Sequence, residues 1–169
     1  MIRSDGRQWF AVYTRSRFEN AVHAHLLSQG MESFLPRYRA RRRWSDRTVC
    51  LDMPLFPSYL FVRATMRSPE LYRVRDTRGV VRLVEGGCGP LAVADEEISA
   101  IQRVLDARLP VESVPWLQPG RCVRVVAGPL TGLEGRVEEQ GRRGKLYITV
   151  HTIGQTIAVQ IDMTDVVAA

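Results

Sequence analysis

A chain of 169 residues, 45% apolar and 25% charged, has the composition of a folded protein of one ordinary domain or two small ones, and no apolar run nears the ~20 residues of a membrane span. Its net charge of +6 lies wholly in residues 1–110, where 18 arginines face 12 acids, while residues 111–169 set six bases against six acids, so any nucleic-acid-facing surface belongs to the first two thirds. Three distant cysteines, Cys50, Cys88 and Cys122, argue against a disulfide frame or a zinc site.

The N-terminus, Met1 to Gln8, lacks the apolar core of a signal peptide, which predicts a cytoplasmic protein. Gln8–Thr14 alternates as a strand, with Trp9, Ala11 and Tyr13 on one face and Phe10, Val12 and Thr14 on the other. Arg17–Gln29 repeats Phe18, Val22 and Leu26 at helical spacing, with Gly30 in the C′ position. Glu32–Arg39 reads as a second strand and Trp44–Leu51 as an extended arm. Ser58–Arg63 is a third strand, with Tyr59 and Phe61 on one face. Ser68-Pro69 opens a short helix to Asp76, Val80–Val84 is a fourth strand, and Asp95 caps a helix to Arg108. The buried stripe of that last helix is Ile98, Ile101, Leu105 and Leu109.

The order β-α-β-β-α-β-α predicts an α+β domain over residues 1–109, with a mostly antiparallel four-stranded sheet and flanking helices. Pro110–Leu117, with two prolines and no period, reads as a linker over 110–117. Residues 118–169 change pattern: Cys122–Val126, Glu134–Glu138, Leu146–His151 and Thr156–Ile161 are short strands separated by glycines, with Asp165–Val167 a candidate fifth. They predict a small all-β barrel. No nucleophile with a base, phosphate-cradling glycine loop or paired carboxylate stands out, and His23 and His25 point about 200° apart on a helix. A non-enzymatic protein without metal or cofactor is expected.

Residues 119–137, PGRCVRVVAGPLTGLEGRV, resemble a KOW motif. Gly120 precedes a strand whose Val123 and Val125 enter the core, Gly128-Pro129 makes a tight turn, and Gly132 and Gly135 permit positive φ or close backbone approach. Residues 55–62, LFPSYLFV, resemble the F-P-x-Y-(L/V)-F-V signature of NusG N-terminal domains, and Thr77-Arg78-Gly79-Val80 with Leu83-Val84 resembles their T-x-G-V segment. From Trp9 to Val167 the chain is similar to NusG-type transcription elongation factors, which join an N-terminal NGN domain to a KOW domain of SH3-like barrel form. Pro54-Leu55-Phe56-Pro57 behind an arginine-rich arm, and Gly154–Val159 in place of Gly-Arg-x-Thr-Pro-Val, resemble specialised paralogues of the RfaH and UpxY kind.

That resemblance implies an antiterminator that binds RNA polymerase and suppresses pausing and termination on chosen operons. It places Tyr13, Tyr59, Phe61 and Leu83 in an apolar cavity that grips the β′ clamp helices. This requires the aromatic sheet face to be left uncovered by the chain's own helices; the alternative is that both faces are core. Phe61→Ala is then expected to fold and lose polymerase. Arg37, Arg39, Arg41, Arg42, Arg43 and Arg47 cluster around Tyr38 and Trp44, either as a solvated hairpin tip or as a DNA contact on which a ring stacks.

The positions that read a base of the non-template strand in the RfaH type correspond to Arg15, His25, Ser28, Gln29, Thr77 and Arg78. Ser28 stands for a basic residue, so the same DNA sequence need not be read. Glu70-Leu71-Tyr72 replaces a His-Thr-Thr contact to the polymerase β gate loop. The neutral barrel favours a protein partner, in this family termination factor Rho or a small-subunit ribosomal protein. Its glycines and the run Ile148-Thr149-Val150 predict a permanent barrel and not a helical hairpin. A monomer is expected. The rival reading is a ribosome-associated, RNA-binding KOW protein, which a neutral barrel disfavours.

Overall fold

The computed structural model describes residues 6–114 and 120–169; the expected linker residues 115–117, and Pro119 of the KOW-like stretch, lie outside the described residues. The chain divides into two units, Met1–Asp95 and Glu96–Ala169.

In the first unit, β1 (Arg7–Thr14) and β5 (Tyr59–Thr65) are the central antiparallel pair, with β2 (Glu32–Phe34) outside β5 and β6 (Val80–Leu83) outside β1. A short β9 (Ala92–Val93) also pairs with β1, so the expected four-stranded sheet has a fifth member. Helix α1 (Glu19–Ser28) starts two residues later than expected, because Arg17 takes a positive φ of 67° that no helix continues. Helix α2 (Pro69–Asp76) begins on its N-terminal proline as the sequence suggests. Both helices cover one sheet face. Phe10 and Val12 of β1 and Leu60 and Val62 of β5 pack with Val22, Leu26, Leu71 and Val74 in one buried cluster.

The second predicted strand is broken. Pro36 has no N–H for the sheet ladder, and its carbonyl accepts from Leu55 N instead (2.8 Å). Beyond it, β3 (Arg37–Trp44) and β4 (Arg47–Pro54) pair only with each other, from Arg37↔Pro54 to Trp44↔Arg47. The expected arm is thus one half of a free-standing ribbon. A further small hairpin, β7 (Glu85–Gly86) with β8 (Gly89–Pro90), is too short to carry a readable period.

In the second unit, α3 (Asp95–Asp106) buries Ile98, Ala100, Ile101 and Val104, so Val104 and not Leu105 completes the stripe. The Glu97 carboxylate accepts from His151 N (3.3 Å) and meets its Nδ1 (2.7 Å), and Arg103 donates to the Thr131 carbonyl. These bonds group α3 with the barrel, although the sequence placed this helix in a first domain ending at 109.

The barrel sheet runs β10–β14–β13–β12–β11–β15, all antiparallel, with β10 (Val111–Val114), β11 (Arg121–Val125), β12 (Glu134–Gln140), β13 (Arg143–Val150), β14 (Gln155–Asp162) and β15 (Val166–Ala168). The candidate fifth strand is present, and the described C-terminal residues form strands and not a helical hairpin. One correction falls on the linker: Val111–Val114 pairs with Thr156–Val159 and belongs to the barrel sheet.

Val123, Val125, Val137, Leu146, Ile157 and Val159 fill the barrel interior. In the KOW-like turn, Gly132 N donates to Val125 O (2.7 Å) at a φ of 89°, and Thr131 folds back on the Gly128 carbonyl. A Cβ on Gly135 would stand 2.6 Å from the Tyr147 carbonyl, so β12 and β13 approach only because that position has no side chain.

Candidate functional site

Strand register decides what the sheet face opposite α1 and α2 presents. Tyr13 stands across from Tyr59, Ala11 from Phe61, and Phe34 of β2 from Phe61 on its other side. The rings of this face form two groups, the pair Tyr13 and Tyr59 and the set Trp9, Phe34 and Phe61. Tyr13 and Tyr59 are 5.2 Å apart, Phe34 and Phe61 stack at 6.1 Å, and Trp9 meets Phe34 edge-on at 6.4 Å.

Their exposure is graded. Tyr13, Tyr59 and Phe34 are half-buried, whereas Trp9 is 7% and Phe61 0% exposed. Phe61 lies between Phe34 and Phe56, so its ring supports this face from within and is not itself a surface anchor. This corrects the expectation for Phe61→Ala. Emptying a fully buried ring site costs about 3–5 kcal/mol of stability, so loss of binding in that variant would not isolate a docking role.

Leu83 needs a larger correction. It pairs with Val12, not Tyr13, and sits in the core under the helices. Val12 faces the helices, so Leu83 across from it does too. The register shift between Tyr13 and Thr14 falls beyond this pair, setting Val80 against Thr14 and skipping Val81, which is 53% exposed. Arg82, which the sequence reading did not single out, stands across from Tyr13, with its guanidinium 5.5 Å from the ring centroid.

Glu19 is the other residue that sequence reasoning missed. It is buried at the start of α1, and its carboxylate accepts from Ser58 N (2.7 Å). Ser58 holds a positive φ of 65°, its carbonyl accepts from Thr14 N (2.8 Å), and Tyr59 N donates to Phe56 O (3.0 Å). The Phe-Pro-Ser-Tyr turn is thus pinned from two elements, and Tyr59 enters β5 opposite Tyr13. An acid in a helical first turn reads as a dipole partner, and nothing local distinguishes one that reaches 39 residues along the chain.

The predicted nucleic-acid residues separate into two places. On the β3–β4 ribbon, Arg41 and Arg43 share a face with Arg37 and Arg39, while Arg42 lies on the other face with Tyr38 and Trp44. All three predicted arginines are exposed, and Trp44 near the tip is 60% exposed. Arg39 has Asp52 at 3.9 Å, and Arg42 Nη2 reaches Met53 Sδ at 3.8 Å.

In the second place, Arg15 N donates to the Gly79 carbonyl (2.8 Å), which brings exposed Arg15 beside exposed Arg78. His25, Ser28 and Gln29 are exposed at the end of α1, but the Ser28 hydroxyl donates to the His25 carbonyl (2.6 Å). Thr77 is 7% exposed and its hydroxyl donates to Arg73 O (2.8 Å), so it ends α2 and has no free donor for a base.

Elsewhere in the first unit, Tyr72 is 63% exposed, with Glu70 3.6 Å from Arg7. In the second unit, acids and bases on the barrel pair with each other: Arg121 with Glu139, Arg124 with Glu134 and Lys145 with Glu112. The Tyr147 hydroxyl donates to Glu138 (2.8 Å), and burial first, then that bond, pushes its pKa up to about 12. No described helix is long and apolar enough to cross a membrane.

The profile of the family described as "Transcription termination factor nusG" matches residues 7–102. Three proteins named "Transcription termination/antitermination protein NusG" align along nearly the whole chain. That of Pseudomonas aeruginosa is 25% identical over 95% of this chain and 97% of its own length. That of Escherichia coli is 26% identical over 98% of each, and that of Rickettsia bellii 23% over 96% and 90%. A solved structure described as "Domain interaction in Thermotoga maritima NusG" shares the fold at a TM-score of 0.60, with 24% identity over 95% of this chain and 96% of that one.

Proposed function

The chain belongs to the NusG family of transcription termination and antitermination factors, and from that premise we propose that it is a specialised elongation factor that docks on RNA polymerase and suppresses pausing and termination on particular operons. The family match over 7–102 supports a polymerase-binding role for the first unit, whose docking face is the half-exposed pair Tyr13 and Tyr59 with Arg82 beside them. This pair is the observation that carries the reading. It lies on the sheet face that α1 and α2 leave alone, and it offers apolar area with polar rims to a pair of clamp helices of the β′ subunit. Two rings that become buried contribute roughly 1.5–3 kcal/mol each before ordering costs. Exposed Tyr72 is the group offered toward the β gate loop.

The basic face of the β3–β4 ribbon contacts DNA of the elongation complex, and Arg15 and Arg78 approach the non-template strand. The barrel, whose sheet includes β10, recruits a protein, either Rho or a small-subunit ribosomal protein. Its own ion pairs leave little net field for RNA, which weighs against the ribosome-associated alternative.

The test is in vitro transcription with purified core polymerase, with and without the full chain, scoring pausing and Rho-dependent termination. Reduced pausing and reduced termination are expected, and Tyr13→Ala combined with Tyr59→Ala abolishes both effects together with polymerase pull-down. Unchanged pull-down by a folded double variant would refute the docking face. Enhanced Rho-dependent termination would place the chain with housekeeping members instead.

A further inference from the structure

Strand β10 occupies an edge that it covers incompletely. It has four residues, Val111 to Val114, bracketed in sequence by Pro110 and Pro115, neither of which has an N–H to extend a ladder. Its partner β14 has eight residues, of which β10 pairs with only Thr156, Ile157, Ala158 and Val159. Among the described residues no strand pairs with Gln160–Asp162 on that side. A cleft of about 320 Å³, lined by Pro110, Glu112, Gln140, Lys145 and Gln160 among others, continues the groove there.

The two strands differ in how firmly they are held. Thr156, Ile157, Ala158 and Val159 are each at most 3% exposed, and the β13 pairing runs the full length of β14. In β10, Glu112 and Ser113 are exposed and both valines only half-buried. One ion pair fastens it: Lys145 Nζ to Glu112 Oε1 at 2.7 Å, with both side chains about half in solvent. A rigid edge under a short, weakly fastened strand would present unpaired N–H and C=O groups whenever that strand leaves.

We propose that the outer edge of β14 is a strand-addition surface for an extended, acidic segment of a protein partner, and that β10 is the chain's own occupant, which the partner displaces. The bound β10 shows what such a segment needs: backbone pairing antiparallel to β14, a valine at each end of the paired stretch, and a carboxylate that reaches Lys145. The proposal rests on the reading that the barrel recruits a protein. It is tested without polymerase or DNA, so its failure leaves the docking face untouched.

The probe is a labelled peptide of residues 109–116 added in trans to the full chain, with binding read by fluorescence anisotropy. Wild-type chain binds weakly, because β10 competes. A chain with Glu112→Pro and Ser113→Pro, which together remove one central β10 N–H donor whichever alternate pair faces β14, binds at least roughly tenfold tighter, as expected when the open fraction rises by that factor. The same peptide with lysine at the position of Glu112 binds less well. Amide exchange on the wild-type chain shows faster exchange for β14 donors facing β10 than for those facing β13.

A folded double variant that binds no tighter overturns the proposal. So does a double variant that fails to fold, since β10 is then integral to the barrel, or equal protection on both sides of β14. A variant that dimerises at the concentrations used assigns the edge to a second copy of the chain and overturns the assignment to a partner.

Discussion

The Ser58 amide has one acceptor, the buried Glu19 carboxylate, and through that bond α1 fixes the turn that delivers Tyr59. Glu19→Ala leaves that amide unpaired and is expected to cost about 1–3 kcal/mol in denaturant unfolding, with weaker polymerase pull-down, while Glu19→Gln keeps an acceptor and retains most of both. Tyr59→Ala behaves differently: a half-buried ring gives a small stability loss and a large binding loss, the opposite order from buried Phe61→Ala, and comparing the two variants in both assays checks it. His23 supplies a pH dependence. Its Nδ1 meets the Ser33 hydroxyl at 2.8 Å, and burial first, then the Arg37 charge, holds the imidazole pKa below its ordinary 6.5. The unfolded chain therefore binds a proton that the folded chain refuses, so stability present above pH 6.5 is lost as pH falls below it. Chemical unfolding of wild type and His23→Gln on either side of that pH should show the slope in the first and a flatter profile in the second.

The ribbon is where an element-level prediction is sharpest, because register assigns each arginine a face. Arg41→Ala with Arg43→Ala removes two charges from the face that also carries Arg37 and Arg39, and should reduce the salt slope of DNA binding by roughly 1.4–1.8, at 0.7–0.9 per phosphate contact. Arg42→Ala lies on the other face and should leave the slope nearly unchanged; equal effects from both would mean that the ribbon contacts DNA on neither face in particular. The sequence already showed the alternation in 8–14 and 58–63, the helix at Pro69–Asp76 and the barrel strands, since two-residue and helical periods are written in the apolar residues themselves. It did not show that Pro36 ends a sheet strand, that Arg37–Pro54 folds on itself, or that Val-Glu-Ser-Val between two prolines still pairs with β14. Those facts depend on partners distant in sequence. Leu83 and Thr77 were misjudged for related reasons: Leu83 pairs with Val12 on the helix-covered face, and the Thr77 hydroxyl closes a helix end.

At the scale of the whole molecule, the charge excess and the proposed docking face occupy the same two thirds of the chain, yet they are expected to differ in their response to salt. All of the +6 lies in residues 1–110, and the barrel's bases are largely answered by its own acids. Docking through Tyr13 and Tyr59 buries apolar area, which salt does not screen. Contact of the ribbon with DNA, as proposed, would release counterions from phosphates. For about three phosphate contacts, raising salt from roughly 50 to 200 mM lowers DNA affinity on the order of 10- to 100-fold. Retention of polymerase by the full chain should change little over the same range. The expected outcome in elongation complexes is therefore a regime in which the factor stays on polymerase while crosslinks from the ribbon to DNA disappear. Crosslinks and polymerase retention lost in parallel would mean that the arginines, and not the ring pair, hold the factor in place.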